Sequence, residues 1–149
     1  MPQSSPSNEP ARVGSTAMED YLEQIAGLIE EKGYARVVDI AANLEVSQAS
    51  VTNMVKRLDA EGLVNRERYR GMTLTVRGEE VAAYIRRRHQ VLTDFLELFG
   101  LDDDTIYSDV EGMEHHISGA TLGVFDALVS ELSASPEMVT RIRKQLKKS

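Results

Sequence analysis

The sequence predicts a mainly α-helical protein, and three observations predict it. Between Met18 and Thr75 the apolar periodicities run helix, helix, tight turn, helix, then two short β-rich stretches. From Gly78 onward apolar residues recur every three or four positions to the end of the chain. Lys56, Arg57, Arg66, Arg68 and Arg70 lie close together in the first half, and no Lys or Arg occurs from Gln90 to Thr140. The first pattern is the order of a winged helix-turn-helix DNA-binding domain, and the second suits an α-helical dimerisation domain. The expected division is a disordered tail over 1–16, the winged domain over 17–77 and the helical domain over 78–149.

Each element has a local cause. Met1 to Ser15 holds three of the four prolines among Ser, Asn and Gln, a composition that buries too little apolar surface to offset its ordering entropy. Thr16 precedes Glu19 by three residues, as in a capping box. Met18, Tyr21, Leu22, Ile25, Leu28 and Ile29 then follow at helical spacing as far as Lys32-Gly33, where glycine can end the helix. Val37 to Leu44 reads as a second helix and Glu45-Val46-Ser47 as a turn. Ser47 caps a third helix running to about Ala60, and Gly62 follows it. Leu63 to Arg68 and Met72 to Thr75, joined through Tyr69-Arg70-Gly71, form a hairpin.

Val81, Ile85, His89, Leu92, Leu96 and Phe99 make the stripe of a long helix that packs on a partner. Gly100 and Asp102-Asp103-Asp104 separate it from a helix around Ile106 to Ile117, and Gly119 separates that from one around Leu122 to Leu132. Ser135-Pro136-Glu137 opens a last helix, with Ser as the cap and Pro at the first helical position.

Composition limits the chemistry. At 149 residues, with 42% hydrophobic and 28% charged residues, the chain suits one ordinary core or two small joined domains. No apolar run approaches the roughly 20 residues of a membrane span, and the N-terminus lacks a signal-peptide pattern, so a cytoplasmic location is expected. Cysteine is absent, which excludes disulfides, thiolate metal sites and cysteine nucleophiles. Any metal must be held by carboxylate, imidazole, carbonyl or water. A formal charge of -7 argues against a generic nucleic-acid coat protein. The acidity, however, belongs to a different part of the chain from that basic cluster, above all Gln90 to Thr140, which has no Lys or Arg.

In a winged helix-turn-helix the third helix enters the major groove with its N-terminal residues on base edges. Those positions are Ser47, Gln48, Ala49, Ser50, Thr52 and Asn53. An amide can bond adenine at two points, and Ala or a Thr methyl can touch a thymine methyl. Lys56 and Arg57, one turn on, would meet phosphate, as would Arg66, Arg68 and Arg70 of the hairpin. Taken singly, each is equally an exposed polar residue. The case rests on element order, capping and local charge agreeing.

Glu111, Glu114 and His115, at i, i+3 and i+4, place two carboxylates and an imidazole on one helix face. His89 lies on the apolar stripe, and Asp20 and Glu23 form an i, i+3 pair on the first helix. Each has a plainer reading. Glu111 could close a capping box with Ser108, Asp20 and Glu23 share a polar face with Glu19 and Glu30, and a lone His89 is more often a hydrogen-bonded core residue. His116 points about 100° away around the helix from His115 and is left out.

The segments Met18-Glu19-Asp20-Tyr21-Leu22-Glu23-Gln24-Ile25, Glu30-Glu31-Lys32-Gly33-Tyr34-Ala35-Arg36-Val37 and Asp109-Val110-Glu111-Gly112-Met113-Glu114-His115-His116 resemble the manganese-responsive branch of the diphtheria toxin repressor family. The resemblance covers about Met18 to Ser133. It implies that Asp20, Glu23, His89, Glu111, Glu114 and His115 form a two-metal site for Mn2+, two ions per subunit, with Glu111 and Glu114 serving both. Iron-responsive members carry Met at the place of Asp20 and Cys at the place of Glu111. Both are oxygen donors here, and oxygen-rich sites suit Mn. The resemblance carries the expectation of a chain without the third, SH3-like domain of those relatives, and the Pro/Ser-rich segment before Met18 is longer than in the shortest members.

The resemblance therefore implies a non-enzymatic, homodimeric repressor of manganese-uptake genes, with double-stranded operator DNA and divalent metal as partners and no membrane. Three other readings remain open at this stage: a response to Fe2+ or Zn2+, a response to an organic ligand, or a metal-dependent hydrolase. Aromatics at 5% and the lack of Trp disfavour a large organic pocket. A hydrolase needs an open coordination position and a substrate pocket.

Overall fold

A computed structural model of the chain describes residues 14–148. Most of the expected N-terminal tail lies outside the described residues. The elements are α1 (Thr16–Lys32), α2 (Val37–Leu44), α3 (Gln48–Ala60), β1 (Val64–Glu67), β2 (Gly71–Leu74), α4 (Val76–Glu97), α5 (Asp103–Glu114), α6 (Gly119–Ser133) and α7 (Pro136–Leu146). The architecture is a winged helix-turn-helix followed by a helical region, as the sequence predicts.

The chain forms two compact units that part between Arg86 and Arg87, inside α4. The physical reason is packing. Val81, Ala82 and Ile85, from the first turns of α4, are buried in the same core as α1, α2, α3 and the hairpin.

In the first unit α1 is capped by Ser15, whose hydroxyl accepts the Met18 N–H at 3.3 Å, one residue earlier than the expected Thr16. Glu19 is buried. Gly33, at φ 82, ends α1 in the left-handed region that glycine enters without a Cβ penalty. Leu22 and Ile25 of α1, Ile40 of α2, Val51 and Leu58 of α3 and Leu63 after it are fully enclosed. Truncating one of the buried leucines to Ala costs about 2–5 kcal/mol.

The hairpin is antiparallel, with Val64 opposite Leu74, Arg66 opposite Met72 and Glu67 opposite Gly71. Its loop is therefore Arg68-Tyr69-Arg70, and Tyr69 at the tip is 86% exposed. A third segment joins it: Ala35 donates its N–H to the Met72 carbonyl at 3.1 Å, and Met72 donates back at 2.8 Å. The hairpin then runs into α4 through Thr75, whose hydroxyl donates to the Gly62 carbonyl at 2.6 Å and accepts the Gly78 N–H at 3.0 Å. A Cβ on Gly78 would overlap the Leu63 carbonyl, so only glycine fits this approach.

In the second unit Leu92 of α4 and Ile106 and Val110 of α5 are buried together, with Leu96, Met113, Ile117 and Phe125 packed around them. Phe95 meets Phe99 and Phe125 edge to face, at centroid distances of 5.3 and 4.9 Å. Arg87 binds both oxygens of Asp126 at 2.6 Å, joining α4 to α6. Asp102 caps α5 through Thr105, and Ser118 caps α6 through Thr121. Gly119 is thus the first residue of α6 instead of a separator. Arg143 of α7 donates to the Leu98 carbonyl at 2.6 Å, satisfying an acceptor just beyond the end of α4.

Candidate functional site

The carboxylate and imidazole cluster is assembled by α4 and α5 of the second unit. Capping of α5 at Asp102 fixes its phase, and Ser108 and Glu111 both lie inside it. That removes the capping-box reading of Glu111. His89, one turn before the buried Leu92, faces α5, and its Nδ1 lies 3.0 Å from Glu114 Oε2. His115 is the C-cap of α5, with backbone angles still near helical, and its Nε2 lies 3.5 Å from Glu114 Oε1. The Glu114 carboxylate is thus held between two imidazoles while only 4% exposed.

Glu111, one turn earlier and exposed, completes the group. One donor atom each from His89, Glu111 and Glu114 lie within 4.8 Å of one another. A buried carboxylate without positive charge nearby is costly, and imidazoles together with a cation are what such a site accommodates. A donor set of carboxylate oxygens and imidazole nitrogens, with no sulfur, fits a divalent ion of the harder or intermediate kind. Three of the six residues expected as ligands, His89, Glu111 and Glu114, therefore converge within one unit, and His115 touches Glu114 beside them. Asp20 and Glu23 belong to the other unit, where they stand one turn apart on α1, Asp20 exposed and Glu23 half-buried. His116 is exposed.

In the first unit α3 begins as the sequence predicts. Ser47 accepts the Ser50 N–H at 3.1 Å, its hydroxyl lies 2.9 Å from the Ser50 hydroxyl, and Thr52 donates to the Gln48 carbonyl at 2.9 Å. Ser47, Gln48, Ala49, Ser50 and Asn53 are exposed, and Thr52 is half-buried. Lys56, Arg66, Arg68 and Arg70 are exposed. Arg57, although exposed, leans toward α1, with Nη2 3.9 Å from Met18 Sδ. Sequence reasoning missed Arg36. Its guanidinium lies 4.7 Å over the Tyr34 ring, and it shares a groove with Arg66 and Arg68. The only available signal was a lone cation between two expected helices; the pairing of Ala35 with Met72 that places it by the wing is long-range.

Comparison with known proteins gives a consistent result. The model of the iron-dependent repressor N-terminal DNA-binding domain matches residues 15–72, and that of the iron-dependent repressor metal-binding and dimerisation domain matches residues 75–143. The chain is 45% identical over 126 residues to the HTH-type transcriptional regulator MntR of Lysinibacillus sphaericus (strain C3-41), covering 85% of this chain and 91% of that one. It is 52% identical over 102 residues to the regulator of the same name from Bacillus subtilis (strain 168), covering 68% and 72%. The solved structure of the manganese regulator SloR superposes with a TM-score of 0.66 at 31% identity, covering 76% of this chain and 53% of that one. This chain thus spans about half the length of SloR. ScaR with bound Zn2+ gives a TM-score of 0.69 at 30% identity over the same shares.

Proposed function

The chain belongs to the iron-dependent (diphtheria toxin) repressor family, and from that premise we propose that it is a manganese-responsive transcriptional repressor that binds operator DNA as a homodimer. It is a regulator and not an enzyme. No helix among the described residues is long and apolar enough to cross a membrane, in keeping with work on DNA in the cytoplasm. The genes controlled are those of manganese uptake.

The observation that carries this reading is the Glu114 carboxylate, buried between His89 and His115 with Glu111 beside it. On this reading His89, Glu111, Glu114 and His115 would be the ligands from α4 and α5, and Asp20 and Glu23 would be further oxygen donors from α1, for two Mn2+ per subunit. A bound divalent cation would supply positive charge among these carboxylates. The chain's own residues do the rest. Glu114 and Glu111 offer four carboxylate oxygens, and the imidazoles offer one ring nitrogen each while the other nitrogen fixes ring orientation. Softer donors would favour Fe or Zn. Mn binds weakly in the divalent series, so the all-oxygen carboxylates and their number must supply selectivity.

Ligands drawn from both the DNA-binding and helical regions make metal occupancy a constraint on how the reading helices are presented. A two-fold dimer must present them about 34 Å apart to meet successive major grooves. Linkage then requires operator DNA to tighten Mn binding by the same factor as Mn tightens DNA binding. The test is a mobility shift on a duplex selected from a random pool by the Mn-loaded chain, run with Mn, Fe, Zn and chelator side by side. A shift that survives chelator, or Mn affinity that is equal with and without the duplex, would refute the proposal.

A further inference from the structure

A groove of about 770 Å3 lies between α3 and the wing, lined among others by Arg36, Thr52, Asp59, Arg66, Glu67 and Arg68. Thr52 belongs to the reading helix and Arg66 and Arg68 to the hairpin; Arg36 comes from neither. It reaches the groove because Ala35 pairs with Met72 through two hydrogen bonds, at 3.1 and 2.8 Å, which lays residues 34–36 along β2.

Gly71 makes that approach possible. Its φ is 89, and a Cβ there would overlap the Ala35 carbonyl and come to 3.2 Å from Arg36 Cγ. The chain therefore carries a glycine where any side chain would push Arg36 away from the wing.

Arg36 itself is exposed, and although it is the N-cap residue of α2 its side chain makes no cap hydrogen bond. Its guanidinium lies over Tyr34 at 4.7 Å instead. Stacking on a ring face restrains a long side chain while leaving the in-plane N–H donors directed outward, which lowers the ordering cost of a later contact. Asp59 and Glu67 also line the groove, so three arginines share it with two acidic residues. Among the described residues neither carboxylate forms an ion pair with any of the three arginines, so the cations are not neutralised in place.

We propose that Arg36 is a DNA-backbone contact, a fork-shaped phosphate ligand preset by Tyr34 and Gly71 that extends the operator footprint from α3 and the wing to the start of α2. The proposal rests on the DNA-binding reading above. A planar guanidinium matches a phosphate through two parallel N–H···O bonds, and such contacts position a protein on the duplex without reading its sequence.

The test measures binding of the Mn-loaded chain to the selected duplex and to a scrambled one, by fluorescence anisotropy over a range of salt concentrations. Arg36→Ala is expected to weaken both by a similar factor, about three- to tenfold, and to reduce the slope of log affinity against log salt by about one per subunit. Arg36→Lys keeps the charge and is expected to restore the slope but not all the affinity. Mn binding without DNA, and the circular dichroism of both variants, are expected to match the parent, since the residue is exposed. An unchanged slope in Arg36→Ala, with Mn-dependent binding intact, overturns the proposal alone. Failure of the parent chain to bind any duplex with Mn present overturns the functional reading and this proposal with it.

Discussion

Glu114 and His89 meet through a 3.0 Å contact between Oε2 and Nδ1, across 25 residues of sequence and from two different helices. Because the same carboxylate also reaches His115 at 3.5 Å through its other oxygen, both of its oxygens are already directed by neighbours. Glu114→Gln keeps the shape but replaces one oxygen by an amide nitrogen that cannot ligate a cation. Mn affinity measured by calorimetry is expected to fall by at least about tenfold, with the Mn requirement for DNA binding rising in step. Unchanged affinity would remove Glu114 from the ligand set.

On the proposed reading Asp20 is an oxygen donor at a position where the resemblance implies a methionine in iron-responsive members. Asp20→Met substitutes a thioether, a softer and uncharged donor, and is expected to shift DNA binding toward activation by Fe2+ relative to Mn2+. The check is a mobility shift with each ion under anaerobic conditions. An unaltered Fe-to-Mn ratio would show that selectivity is set elsewhere.

Gly78 sits in the first turns of α4 against the Leu63 carbonyl, whereas Gly27 of α1 has open space where its Cβ would go. Gly78→Ala is expected to destabilise the chain by about 2 kcal/mol or more, since backbone must shift to admit the methyl group. Gly27→Ala is expected to stabilise it by about 0.5–1 kcal/mol, the ordinary helix-propensity gain. Urea unfolding of the two variants should therefore move in opposite directions, and movement in the same direction would contradict the geometry.

Asp102 accepts the Thr105 N–H at 3.0 Å and the Thr105 hydroxyl at 2.8 Å, and these bonds, the backbone one foremost, hold its carboxyl below the usual 3.8. A folded-state pKa below the unfolded value favours the ionised form in the folded chain. Its stabilisation is therefore fully present above pH 3.8 and is lost as pH falls through the lowered value. Asp102→Ala is expected to lower Tm at neutral pH and to differ progressively less from the parent below that range. A Tm gap that stays constant down to pH 2 would rule out the ionised cap as its source.

Elements set by local rules were legible in the sequence. Ser47 before α3, Gly33 after α1 and Pro136 at the start of α7 each act within one helical turn, so their signals stand in adjacent letters. Where two hydroxyls compete, letters do not decide: Ser15 caps α1 although Thr16 had the capping-box spacing. Spacing also grouped Glu111, Glu114 and His115, because i, i+3 and i+4 positions share a face.

What depended on distant packing was not legible. That the first turns of α4 join the first unit follows from burial of Val81 and Ile85 beside α1 and α3, which no boundary signal announces. Arg36 stayed hidden for the same reason. Its place beside Arg66 is set by the pairing of Ala35 with Met72, and such pairings carry no local mark.

The hairpin is moored twice on β2, by β1 along its length and by Ala35 at Met72. Lengthening the chain between Glu67 and Gly71 would leave both moorings intact and extend only the finger that holds Tyr69. Adding one residue within β2 would instead turn Met72 outward and swing Thr73 inward, since neighbouring side chains on a strand face opposite sides. The reach of the finger can thus be tuned without rebuilding the palm.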